Sequence, residues 1–368
     1  MNQELFDLIR TNYALVSRLD LADIKSRYWK ELLSRGRQGS GGKGDFIDHP
    51  ELWVNFRNNV ITKGLDNANV PPDALESVLP RWRRMYSLLK GEIPREYRQY
   101  LEEVQVGNPQ TISIDGINVS QSSMEYTYML THLAPYLESS NVVVDIGAGY
   151  GGFDRTLKKA FPSQKYILLD LPETNAIQTY FLRQCFPEMK FAYAQDVAEL
   201  ALLDPAALDF DFLILPGQFI AKLRPSSVDV FINTRSMMEM DPDTVSFYVE
   251  HIEDKLRPGG RFYCLNRYAK KTRLKDYPFD ERWYVAYSEP WPRFIDENPH
   301  HELIAVRTAF PVKNGLRALL RTFPPSDSRV LEKLRQLAHL QPPPALSLEN
   351  KILRTAHKVW RRLSHWTR

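Results

Sequence analysis

Cysteine is almost missing from this chain. Cys185 and Cys264 are the only two in 368 residues, which rules out a disulfide framework and fits a reducing, cytoplasmic setting. Long apolar runs are missing too. No stretch reaches the roughly twenty consecutive apolar residues needed to span a bilayer. Near the start, Glu4, Asp7 and Arg10 interrupt what would have to be the apolar core of a signal peptide. Neither sign of charge dominates: 48 Lys and Arg face 45 Asp and Glu, a formal net charge of +3, so no nucleic-acid partner is expected. The eight histidines form no compact cluster with carboxylates. His300 and His301 sit side by side in a strand-like segment and would point to opposite faces, so no metal is expected. Nor does a Ser or Cys sit in a nucleophile elbow.

Glycine is the exception to this sparseness, because four of the 17 fall within residues 147–152, GAGYGG. The apolar run Val142, Val143, Val144 reads as a strand buried on both faces, Asp145 closes it, and a helix follows over 153–161. Glycines at such a turn let the backbone approach a ligand without Cβ interference. By spacing alone the motif satisfies both G-x-G-x-G and G-x-G-x-x-G, so S-adenosylmethionine (SAM) and a dinucleotide both remain open. A second strand over 166–169 ends at Asp170, followed by Leu171, where an acid can accept from a ribose diol present in either ligand. Alternatively Asp170 caps the helix beginning near Glu173.

Asp145, two residues before Gly147, resembles the first motif of class I SAM-dependent methyltransferases. VDVFINTRSMMEM at 228–240 and RPGGRFYCLNRY at 257–268 resemble the fourth and fifth strands of that fold. A closer resemblance is to the bacterial sugar O-methyltransferases, carried by GNP at 107–109, DIGAGYGG, DLPE at 170–173, INTRSMMEM and LNRY; it covers most of residues 25–310. The resemblance implies an α/β fold, a Rossmann-like doubly wound, mostly parallel sheet with a helical cap before it and a helical extension after it. It implies SAM as cofactor, with contacts from Asp145, Gly147, Gly149, Tyr150, Gly151, Asp170, Leu171 and Asn233. It also implies a sugar or glycan acceptor in surface polysaccharide synthesis. The adenine contact depends on which segment is the third strand: 191–194 ending at Asp196, or 210–215 followed by Gln218. The later one, with Gln218, is favoured.

Methyl transfer to a hydroxyl is an in-line displacement that needs positioning and a nearby base. In this fold the loop after the fourth strand faces the methyl group, which nominates Asn233, Arg235, Ser236, Glu239 and Asp241. Glu239 is the first choice as base or as a grip on a neighbouring hydroxyl. Arg235 suits an acceptor carboxylate or phosphate through its planar fork. Glu239 and Asp241 could instead stabilise a helix starting near Pro242. His49 and Arg57 are polar candidates from the cap, although His49 also reads as a helix-start residue before Pro50. Two other functions fit the glycine motif: an NAD(P)-dependent oxidoreductase and a non-catalytic scaffold in a glycan-assembly complex.

Three parts are expected: a helical cap over 1–120, the cofactor domain over 121–315 and an extension over 316–368. Helical spacing runs through Leu5, Leu8, Ile9, Tyr13, Val16 and Leu19, then through Trp53, Phe56, Leu79, Trp82, Met85 and Leu89. Residues 107–123 read as a short hairpin or loop entering a helix at 120–123, residues 301–310 as a returning strand, and 268–298 carry no assigned element. Residues 350–368 place Trp360 and Trp366 on an apolar stripe bordered by six cations without an acid. Such a helix suits an anionic membrane face or packing on a protein surface.

Overall fold

The computed structural model describes residues 3–19, 47, 50–58, 75–292 and 299–323. His49, residues 20–46 and the basic segment 350–368 therefore lie outside the described residues. In chain order the elements are α1 (Gln3–Val16), a 3₁₀ segment (Pro50–Asn58), α2 (Leu75–Glu92), a second 3₁₀ segment (Arg95–Leu101) and a hairpin of β1 (Ile112–Ile114) and β2 (Ile117–Val119). There follow α3 (Gln121–Leu137), β3 (Val142–Ile146), α4 (Gly152–Ala160), β4 (Lys165–Asp170), α5 (Pro172–Cys185), β5 (Phe191–Tyr193), α6 (Ala194–Val197) and β6 (Phe212–Pro216). The last are β7 (Val228–Thr234), α7 (Pro242–Lys255), β8 (Leu256–Arg267), β9 (Trp283–Pro290), β10 (His300–Arg307) and α8 (Leu316–Arg321).

Eight strands form one sheet in the order β5-β6-β4-β3-β7-β8-β10-β9. From β5 to β8 all neighbours are parallel, and β10 runs antiparallel to both β8 and β9. This is a Rossmann-like α/β fold. The central strands are apolar on both faces, as burial under two helix layers requires: β3 and β6 are buried at every position. One core joins Val143, Leu168, Ile214 and Ile232 to α3, α4 and α5; the other joins Val144, Leu169, Leu213 and Phe231 to α7 and α8.

The chain steps leftward from β3 to β4 and returns on the other side of β3 with β7. This puts the topological switch point between the carboxyl ends of β3 and β7, where open α/β sheets bind ligands. Of the two candidates for the third strand, 212–216 is the neighbour of β4, and 191–193 is an added edge strand beyond it. The hairpin and the N-cap at Ser120 stand where the turn residues placed them, with a capping box closed by Ser123. Two features differ from the sequence reading. Residues 50–58 and 95–101 wind as 3₁₀ segments behind Pro50 and Pro94, the first with a non-helical Asn55, rather than as α-helix. β9 was not expected, because it is an edge strand whose half-buried residues leave no clean alternation.

Candidate cofactor and acceptor site

The glycine loop fills the switch point. Gly147 has φ +72°, and a Cβ there would stand 2.1 Å from the Ser236 Oγ, so only glycine lets the loop after β7 close against the end of β3. Gly149 has φ +60° and is held from both sides. Its N–H donates to Asp170 Oδ2 at 2.9 Å, and its carbonyl accepts from Gln178 Nε2 at 2.8 Å. Gly151 is the left-handed cap of α4.

Asp170 stands at the end of β4, as expected, and also accepts the Leu171 N–H at 2.7 Å. Leu171 is the N-cap of α5 and makes no side-chain cap bond. Asp170 therefore ties the β4 end to the glycine loop. Burial pushes its carboxyl up to about 7, against the pull of the Leu171 and Gly149 N–H groups and the Thr174 side chain.

Two more acids lie beneath the loop. Asp145 on β3 and Asp154 on α4 are each 1% exposed, and no other described residue donates a hydrogen bond to either, Asp154 meeting only its own backbone N–H. Burial pushes the Asp145 carboxyl well above the usual carboxylate range, with Asp154 and Asp170 adding repulsion; burial and Asp170 push Asp154 up to about 7. Buried carboxyl groups without partners are costly and normally mark a site that waits for a ligand or holds protons. Asp154 was missed in the sequence. Its signal was there, since Phe153, Asp154 and Leu157 share the inward face of α4.

Because Asp170 is protonated more readily in the folded chain than when unfolded, it favours folding below its unfolded pKa, and that advantage is lost as pH rises through about 7. Asp170→Asn keeps an acceptor for the Gly149 N–H and removes the titration. Its melting temperature relative to the unmutated chain is expected to climb from about pH 4 to pH 7 and level off above. A difference that stays flat with pH would contradict this environment for Asp170.

Behind the loop, Asn233 is fully buried. Its Nδ2 donates to Ile146 O at 2.7 Å and Ser236 Oγ at 2.5 Å, while its Oδ1 accepts from Asn266 Nδ2 at 2.7 Å and from the Met237 N–H at 3.3 Å. Ser236 Oγ donates to Ile146 O at 3.0 Å. Asn233 thus braces the ends of β3, β7 and β8 against one another.

Arg235 takes a left-handed φ of +61° and pairs with Glu125 of α3 at 2.5 Å, so an internal carboxylate occupies part of the fork. Glu239 pairs with Lys270, and Asp241 with Lys271 at 2.7 Å. Asp241 is the N-cap of α7 by position, yet its side chain makes no cap bond. Both acids serve the lysine turn after β8 instead of the helix. Gln218 is half-buried just past β6.

Tyr150 turns inward. It packs against Phe181 at 4.9 Å and Phe56 at 5.5 Å, under the Arg57 guanidinium 4.9 Å from its ring centre. Arg57 is itself buried against Glu103 at 2.8 Å. Burial would raise the Glu103 carboxyl, but the Arg57 charge and the hydrogen bonds from Arg57 and Ser120 hold it below the usual range. Among the described residues no three His, Cys, Asp or Glu side chains converge as a metal site would require. None of the described helices is long and apolar enough to cross a membrane.

No protein-family model matches the chain. No curated protein matches it either. Similar solved structures include the mitomycin 7-O-methyltransferase MmcR, 16% identical over 68% of this chain and 76% of that one, with a TM-score of 0.33. The pyocyanin biosynthetic protein PhzM is 15% identical over 50% of this chain and 56% of its own, with a TM-score of 0.33. The B. subtilis tRNA methyltransferase TrmK is 13% identical over 48% of this chain and 64% of its own, also with a TM-score of 0.33.

Proposed function

We propose that the chain is a SAM-dependent O-methyltransferase, acting in the cytoplasm on a sugar hydroxyl of a bacterial surface polysaccharide or related glycan. The observation that carries the choice of cofactor is the set of acids, buried Asp145 and Asp154 with half-buried Asp170, around a glycine loop at the switch point. SAM is a cation at its sulfonium and carries an ammonium, whereas a dinucleotide brings a negatively charged pyrophosphate that these acids would repel. The antiparallel β10 is also the returning strand that the end of a methyltransferase sheet needs. The sugar acceptor rests on the resemblance carried by DIGAGYGG, DLPE, INTRSMMEM and LNRY.

When bound, SAM supplies a methyl group already activated for displacement. The chain's part is to hold its ribose through Asp170, to keep the loop closed through Gly147 and Ser236, and to bring the acceptor oxygen into line. Glu239 sits on the turn just past β7 with its carboxylate on Lys270. A carboxylate in that pairing must release the ammonium to take a proton, so its better use is to grip an acceptor hydroxyl. Glu239→Gln is then expected to raise the acceptor KM, with kcat falling less than about tenfold; a fall of about a hundredfold in kcat alone would make Glu239 the base.

Mass spectrometry of surface glycans from cells with and without the gene tests the acceptor. Loss of a methylated sugar supports the proposal, and unchanged glycans with a changed nucleic acid, protein or small molecule contradict it. Residues 350–368 are proposed as a peripheral contact with anionic membrane. Removing everything after Pro344 is expected to abolish salt-sensitive sedimentation with anionic liposomes and leave SAM affinity unchanged, whereas a changed oligomeric state would assign the segment to subunit packing.

A further inference from the structure

Asp154 lies outside the glycine motif, yet it is as deeply buried as Asp145 and, apart from its own backbone N–H, no described residue donates to it. Asp145 lies on the side of the sheet that Val143 shares with Phe153 and Leu157 of α4, and Asp154, between those two on α4, is near enough to raise the Asp145 carboxyl by repulsion. The groups around the pair are mostly acidic or neutral. β4 contributes Asp170 and Tyr166, and α5 contributes Glu173 beside Asp170. Tyr263 of β8 reaches the neighbouring Phe153, at 6.3 Å between rings. The cations are committed elsewhere: Lys158 to Asp211 at 2.8 Å, Arg235 to Glu125, and Arg155 towards Glu103 and Cys185. Two carboxyl groups so placed cannot both be ionised without a compensating charge.

We propose that Asp145 and Asp154 form a buried dicarboxylate that holds one proton in the ligand-free chain and releases it to solvent when a positively charged cofactor enters, which makes Asp154 a positioning and specificity residue for that cofactor. This rests on the SAM reading above. The exchange is one of charge: the proton leaves as the cation arrives, and no covalent bond changes. It gives the site a preference for a cationic ligand over a neutral adenosine compound of similar shape. It also makes affinity rise with pH, because above the pair's titration no proton has to be displaced.

Calorimetry on the full chain near pH 6.5, in buffers of different ionisation enthalpy, counts the protons directly and needs no variant. SAM binding is expected to release about half to one proton, and SAM affinity to rise about tenfold between pH 6 and pH 8. 5′-Methylthioadenosine, which lacks both the sulfonium and the ammonium, is expected to bind without that release. In Asp154→Asn the proton count and the pH dependence should both fall by the pair's share, leaving only what Asp170 contributes, and in the double variant Asp154→Asn with Asp170→Asn both should fall towards zero. Asp145→Asn should do the same, and the infrared carbonyl band of protonated carboxyl groups that SAM binding removes in the unmutated chain should be weaker in both variants, with the Asp170 component remaining. SAM binding without proton release, or equal release with methylthioadenosine, would overturn the charge exchange while leaving the SAM site standing. Absence of any SAM binding would overturn the functional reading itself.

Discussion

Gly149→Val is expected to abolish measurable SAM binding in a chain that still folds. The residue sits at φ +60° with both its peptide groups in use, the N–H on Asp170 and the carbonyl on Gln178. A β-branched residue can neither relax to negative φ without breaking those two bonds nor keep the left-handed conformation without about 1–2 kcal/mol of strain. Its side chain would also occupy the space through which a ligand reaches the loop. The surrounding strands are buried by their own apolar contacts, so cooperative unfolding should survive with a modest fall in melting temperature. Equilibrium binding with labelled SAM is the measurement. A loss of at least about a hundredfold is expected, and an affinity within threefold of the unmutated chain would mean that the loop does not meet the ligand.

The second large effect belongs to Arg57, and it is one of stability. Arg57→Ala removes the cation from a buried ion pair and leaves Glu103 charged in an apolar setting, at an expected cost of about 3–5 kcal/mol. Glu103 also receives the hydroxyl of Ser120, the residue that caps α3, and Arg57 covers the face of Tyr150 in the glycine loop. The loss should therefore appear in the urea midpoint and, in whatever folded fraction remains, in weakened cofactor binding. The double variant Arg57→Leu with Glu103→Leu should recover most of the stability, because exchanging a buried pair for apolar side chains of similar size is close to neutral. A single variant within about 1 kcal/mol of the unmutated chain would contradict the buried-pair description.

Much of this architecture was legible in the sequence because its signals are local. Val142 to Val144, Asp145 and the glycines specify strand, turn and helix within a dozen residues, and Ser120 announces the start of α3. Partners remote in the chain were not legible. Arg57 read as a polar candidate from the cap, yet it finds Glu103 across 46 positions of sequence; Arg235 read as a fork for the acceptor, yet it finds Glu125 across 110. Tyr150, inside the glycine loop, and Asn233, at the end of β7, were read towards the cofactor because the family resemblance implied it. The structure turns Tyr150 into an aromatic cluster and spends Asn233 on bracing three strand ends. Spacing can place a polar residue at a strand end, but only packing decides whether it faces the ligand or the scaffold.

The switch point is expected to bind an adenosyl sulfonium and not a dinucleotide. Isothermal titration of the full chain with SAM, S-adenosylhomocysteine, NADH and NADPH tests it most directly. One saturable site for SAM and for S-adenosylhomocysteine, weakened by Asp170→Ala by about 1.5–3 kcal/mol, with no saturable heat from NADH or NADPH, is the predicted result. Saturable binding of NADH or NADPH with none of SAM would contradict it.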